Sequence, residues 1–193
     1  MRISGWWLLG LAMVSGVAEA QTRRQSNIRS TWEDPDRPRP RGERLLRAVM
    51  LDMHNDEREA IGIAPVTWDA ALATQALTYA QELARLATFQ HSSKASRATP
   101  QGENLWMGSR GAFTYEEMSD AWIREKRFYR PHPVTESSTT GDWRDVGHYT
   151  QMVWQGTTAI GCAVASNDRN DYLVCRYSPP GNIYGQTIRG TEK

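Results

Sequence analysis

Residues 147–178 read GHYTQMVWQGTTAIGCAVASNDRNDYLVCRYS. The stretch opens as an apolar helix, with Met152, Val153 and Trp154 following Gly147 and His148. It then changes period. Residues 159–166 and 171–178 are strand-like runs on either side of Asn167-Asp168-Arg169-Asn170, four residues that favour turns. A hairpin centred between 168 and 169 sets Cys162 directly opposite Cys175. Facing Cα atoms in a narrow antiparallel pair are about 4.5 Å apart, within disulfide range. The chain has two cysteines. An even count in an exported protein favours a Cys162–Cys175 bridge over two buried thiols.

Upstream of this stretch the period is helical. Leu45, Leu46, Val49, Met50 and Met53 form a stripe from Glu43 onward, and Gly62 is its expected stop. A second helix is predicted over 69–87, with Leu72, Ala73, Ala76, Leu77, Ala80, Leu83 and Ala84 on its inner face and Thr67 or Asp69 as cap. Residues 88–113 lack a period and are expected as loop, with one short strand near Asn104–Met107. Thr114-Tyr115-Glu116-Glu117 is a capping box opening a third helix, expected to reach Tyr129 before Pro131 and Pro133 end it. After Pro179-Pro180-Gly181-Asn182 the chain turns, with Asn182 expected to bond its own backbone, and Ile183–Ile188 is a candidate edge strand. Helices before and between antiparallel strands place the chain in the α+β class. Trp68, Trp106, Trp122 and Trp154 are expected core residues.

The N-terminal end has a different composition. Arg2, the apolar run Trp6–Val14 and Ala18-Glu19-Ala20 form the pattern of a secretory signal, residues 1–20. The apolar run is shorter than the roughly 20 residues a membrane span needs. Residues 21–42 are a basic, proline-rich tether: six Arg lie in 21–41 with Pro35, Pro38 and Pro40, and almost nothing there can enter a core. The net charge of +1 gives no reason to invoke nucleic acid or an anionic membrane as partner.

The functional question is posed by ionisable groups beside apolar sequence. Glu125 shares a helical stripe with Met118, Ala121, Trp122 and Tyr129, and a carboxylate there needs a partner. His148 opens an apolar helix, His91 precedes Ser92-Ser93, and Glu103 borders Asn104-Leu105-Trp106. His132 sits in a polar loop and is expected to be exposed. His54 lies in a charged helical segment, where a surface or structural role is expected. Tyr149 and Gln151 either line a cleft beside His148 or pack it.

These stretches, taken in order, resemble a known family. His54-Asn55 with Arg58, Gly62 and Trp68, then His91-Ser92, Gly102-Glu103-Asn104-Leu105 and Trp122-Ile123-Arg124-Glu125, are followed by GHYTQMVW (147–154) and YLVCRYSPPGNIYG (172–185). The pattern is similar to the CAP superfamily of cysteine-rich secretory proteins, antigen-five allergens and pathogenesis-related proteins, which carry the SCP domain. The resemblance covers about 43–188 and leaves 189–193 as a tail. It implies an α-β-α sandwich with a small antiparallel sheet between helices. It also implies a cleft lined by His91, Glu103, Glu125 and His148, which in some members holds zinc or another divalent cation.

Three activities are open to such a cleft. The resemblance implies a secreted binding module, extracellular or periplasmic, for a small hydrophobic ligand such as a lipid or sterol, or for an extracellular partner protein, rather than an enzyme. A zinc-dependent hydrolase or peptidase would use the same four residues, with Glu103 or Glu125 as base on a metal-bound water, although no H-E-x-x-H helix is present. A metal-free Glu103/Glu125 acid–base pair acting on a sugar is the third, and neighbouring His charges disfavour it. Against all three stands a purely structural hydrogen-bonded network.

Overall fold

A computed structural model describes residues 39–190 apart from 94, 96 and 98. The expected signal peptide, residues 21–38 of the expected tether and the last three residues of the tail lie outside the described residues.

The first helix, α1 (Glu43–Ala60), buries Leu46, Val49, Met50 and Met53, as the stripe predicts, and the same face also buries His54, Glu57 and Arg58. It closes on Gly62, whose φ of 69° is the left-handed conformation a helix stop needs. A two-residue strand, β1 (Thr67–Trp68), leads into α2 (Ala70–Leu86). Asp69 is the cap, its carboxylate accepting from the Leu72 amide at 2.9 Å. The inner face of α2 is built from Ala76, Ala80 and Ala84 with Leu72 and Leu83. Small side chains there let the helix lie close to the sheet.

Strand β2 (Gly102–Ser109) is longer than the expected segment. Helix α3 (Tyr115–Ile123) begins with the capping box, both of its reciprocal bonds being present. It is shorter than expected, because the chain tightens into a 3-10 turn over Arg124–Phe128. The six-residue helix α4 (Gly147–Met152) precedes the hairpin of β3 (Ala159–Ser166) and β4 (Asn170–Ser178). The candidate edge strand at Ile183–Ile188 does not form. Left-handed φ values at Asn182 (55°) and Gly185 (79°) break the extended run.

The sheet has the order β1-β3-β4-β2. Cys162 faces Cys175 in the register the turn predicts, with Cα atoms 4.1 Å apart, and the two form a disulfide. The sheet is mixed rather than purely antiparallel, since β1 runs parallel to β3. Helices cover both faces. On one, α1, α3 and α4 pack against Ile160, Cys162, Leu173, Cys175 and Tyr177. On the other, α2 packs against Ala163, Tyr172, Val174 and Leu105. Trp122 and Trp154 are buried as expected, while Trp68 and Trp106 are half-buried and pack against the first core.

Candidate functional site

The clearest feature is how α4 begins. A helix leaves its first amides without partners. Here the carboxylate of Glu125, carried by the 3-10 turn after α3, supplies them. Its Oε2 accepts from the amides of His148 (2.9 Å) and Tyr149 (3.0 Å), and its Oε1 accepts from His148 Nδ1 at 2.6 Å. The imidazole lies parallel to Trp122, with ring centroids 6.0 Å apart. Asn182 fixes α4 from the other side, donating to the Gly147 carbonyl (2.8 Å) and accepting from Thr150 Oγ1 (2.8 Å). This corrects the expectation that Asn182 bonds its own backbone: its left-handed conformation aims the amide at α4. Tyr149 and Gln151 pack α4 rather than line a cleft, both being buried.

A second pair forms around β2. Glu103 Oε1 accepts from His91 Nδ1 at 2.7 Å and from the Ser92 amide at 2.9 Å, and Oε2 accepts from Ser92 Oγ at 2.7 Å. Arg176 reaches Oε2 at 3.0 Å and Arg97 reaches Oε1 at 3.3 Å. The Glu103 side chain is 1% exposed, whereas that of His91 is 59% exposed. Burial alone would raise the Glu103 pKa. The His91 hydrogen bond, the Arg176 charge, the Ser92 bond and the Arg97 charge outweigh it and hold the carboxyl below its usual range.

The two pairs are joined by β2. Successive strand residues point to opposite faces. Glu103, opposite Arg176, faces the α2 side, while Asn104, opposite Cys175, faces the other. Asn104 donates to the His148 carbonyl at 3.1 Å. The structure thus forms two separate His–carboxylate pairs, His91–Glu103 and His148–Glu125, connected only through adjacent positions of β2 that face opposite ways. Among the described residues, no three of His, Cys, Asp and Glu are gathered as a metal-holding group. Glu103 is filled by five donors, whereas Glu125 accepts three and keeps lone-pair capacity on Oε1. Each imidazole keeps Nε2 unpartnered among the described residues. With Nδ1–H directed at a carboxylate, Nε2 carries the lone pair in the neutral ring.

The polar groups that support this frame are only partly legible in the sequence, where His54 is expected in a surface or structural role. His54 is fully buried and structural: Nδ1 donates to the Met50 carbonyl (2.7 Å) and Nε2 accepts from the Tyr177 hydroxyl (2.9 Å). Burial lowers its pKa to about 4, against a weaker upward effect of the Met50 bond. Its position four residues after Met50, on the apolar stripe, was the available signal. His132 is exposed, as expected. Arg97 and Arg176 give no sequence signal as Glu103 partners.

Comparison with known proteins places these features in context. The family model described as cysteine-rich secretory protein family, CAP, matches residues 51–177. Pathogenesis-related protein 1C of Nicotiana tabacum is 36% identical over 138 residues, 71% of this chain and 77% of that protein. A pathogenesis-related protein of PR-1 type from Sambucus nigra is 39% identical over 137 residues, 70% of this chain and 77% of its own length. Among solved structures, that of NaASP2 with Zn2+ superposes with a TM-score of 0.66 at 27% identity, covering 82% of this chain and 90% of that one.

Proposed function

The chain belongs to the CAP family of cysteine-rich secretory proteins, and from that premise we propose that it is an exported binding module whose His91 and His148 hold a divalent metal ion. The observation that carries this is the commitment of both Nδ1 atoms to carboxylates. A carboxylate behind a neutral imidazole fixes its tautomer and makes Nε2 a better donor to a metal. In this reading Glu103 and Glu125 orient the ligands instead of binding the ion. Two imidazole ligands leave coordination positions for water or a bound molecule, a donor set that suits zinc. The relative solved with Zn2+ makes zinc the first ion to try. When bound, such an ion would supply Lewis acidity and a site for an anionic or carbonyl group of a ligand. Export through residues 1–20, a tether over 21–42 and a folded unit over 43–188 belong to the same proposal. The wider ligand is a small hydrophobic molecule or an extracellular protein.

The hydrolase reading has no observation in its favour. A general base needs a free lone pair near the reacting water; Glu103 has none, with five donors, and Glu125 is spent on fixing α4, with two backbone amides and the His148 imidazole on it. A sugar-cleaving pair would need one carboxyl protonated, and Glu103 is held ionised. The test is calorimetric titration of zinc into the mature protein. One-to-one saturable binding is expected, lost in His91→Ala/His148→Ala and weakened about ten- to a hundredfold in Glu125→Gln. Absence of binding to the wild type sinks the metal site and leaves the four residues as a structural network.

A further inference from the structure

On the opposite edge of the sheet from the His–Glu pairs, most of β3 has no strand beside it among the described residues. β1 pairs only with Ala159 and Ile160 before the chain turns into α2. Gly161 permits that turn, because a Cβ there would sit 2.2 Å from the Ala73 amide nitrogen and 2.6 Å from the Asp69 carbonyl oxygen. Among the described residues, no strand pairs with this edge from Cys162 onward. The orientation of its backbone follows from two observations. The Asp69 amide donates to the Ile160 carbonyl, so within β3 Ile160 and the residues two and four further on face the β1 side, the Thr158 amide before the strand instead reaching Ser178 of β4. The 4.1 Å Cα separation of Cys162 and Cys175 marks a narrow pair, whose amide and carbonyl groups point away from β4.

Among the described residues, the backbone groups of Cys162 and Val164 on this edge have no hydrogen-bond partner. They line a cavity of about 410 Å³. Its walls are mixed, with Leu46 of α1, Ala73 and Leu77 of α2 and Tyr115 of α3 on the apolar side and Thr74 and Glu43 on the polar side. Cys162 is 2% exposed, and orphaned backbone donors at buried positions are rare in folded proteins. Glu43 is the single charged residue of the lining.

We propose that this edge receives an extended peptide of a partner protein, which adds as a strand beside β3 and carries a Lys or Arg toward Glu43. The match is to backbone chemistry. Cys162 and Val164 present amide and carbonyl groups about 6.6 Å apart along the strand, the repeat at which an extended chain offers its own. The small Ala73 leaves room for a backbone at the helix, and Leu46, Leu77 and Tyr115 offer apolar contact to alternate side chains. The site is separate from the His–Glu pairs, so it stands whether or not the protein binds metal.

The experiment uses 15N-labelled mature protein and positional-scanning pools of N-acetylated hexapeptides as probes. The Cys162 and Val164 amides are expected to shift and to exchange more slowly with solvent, most strongly with pools that fix Lys or Arg. N-methylation at alternate peptide residues removes the strand hydrogen bonds while keeping the side chains, and should abolish the effect. Glu43→Gln should weaken binding about two- to fivefold, the scale of an exposed ion pair. Val164→Pro removes one outward amide without touching the β4 ladder and should weaken it further. The proposal is overturned if no pool moves these amides, or if N-methylated peptides bind as well as their parents. It is also overturned if palmitate moves them and peptides do not, since the cavity would then take an acyl chain.

Discussion

At the scale of single residues, burial sets what a histidine can do. His54 and His148 are both held at Nδ1, but by different partners: a neutral carbonyl for His54 and a carboxylate for His148. Full burial lowers the His54 pKa to about 4 from 6.5. A depressed pKa means that the unfolded chain takes up a proton first as pH falls. The contribution is therefore complete above about pH 6.5 and is lost progressively as pH drops toward 4, by about 3 kcal/mol in all. Glu103 adds its own loss only near and below the ordinary carboxyl value of 4.5, so the difference between wild type and His54→Gln from pH 6.5 to 5 reads the His54 contribution. Urea midpoints across that window should fall with pH in the wild type. In His54→Gln they should be lower at pH 7 but nearly flat. An unchanged slope in that variant would assign the pH dependence to another group.

At the scale of elements, contact between α2 and the sheet depends on Gly161. A Cβ at that position meets backbone atoms of Asp69 and Ala73, which cannot rotate away as a side chain can. Overpacking costs about 1–3 kcal/mol, and Gly161→Ala should lie at the upper end of that range. The loss is expected as a lower urea midpoint, with the Asp69–Leu72 cap bond weakened as seen by faster exchange at Leu72. Ala163→Gly on the same face is the contrast, costing only a methyl and leaving the cap intact. A wild-type midpoint for Gly161→Ala would show that α2 can shift freely. The elements that could be read from sequence were those with a strong local signal: the capping box at Thr114, the cap at Asp69, and the turn at 167–170 that fixes Cys162 against Cys175. Those that could not be read depend on distant partners. The 3-10 turn at 124–128 positions Glu125 for amides 23 and 24 residues away. β1 is two residues long and has no period of its own. The four candidate residues stand out in the sequence as ionisable groups near apolar stretches, and their grouping into one cleft comes only from the family resemblance. Their division into two pairs is not legible there, because Arg97 and Arg176 complete the Glu103 cluster from outside any motif that contains Glu103.

At the scale of the whole molecule, the position of His148 rests on a clamp that reaches through the core. Helix α4 has six residues, too few to be stable alone. Its first amides are held by Glu125. Its last carbonyl, that of Met152, accepts from Arg58 Nη1 at 3.1 Å. Arg58 sits on α1, and it also donates to the carbonyls of Trp154 (2.8 Å), Thr157 (2.9 Å) and Ala64 (2.7 Å). Burial lowers its pKa only to about 10, so it remains charged at neutral pH. One planar guanidinium serves four carbonyls from the α1 exit and the connection into β3, while three rotating donors of an ammonium cannot match that fork. Arg58→Met should cost about 3 kcal/mol or more, since each buried carbonyl left without a donor costs about 1–3 kcal/mol. Arg58→Lys should recover only part of this. The informative measurement is hydrogen exchange in Arg58→Lys, where residues 147–157 should lose protection while the interior of α2 keeps it. At the proposed metal site, zinc affinity should fall with that local protection, because a His148 that no longer sits on a fixed α4 presents Nε2 in many directions. If protection instead falls equally in α2 and α4, Arg58 supports only global stability. The placement of His148 would then depend on Glu125, Asn182 and Trp122 alone.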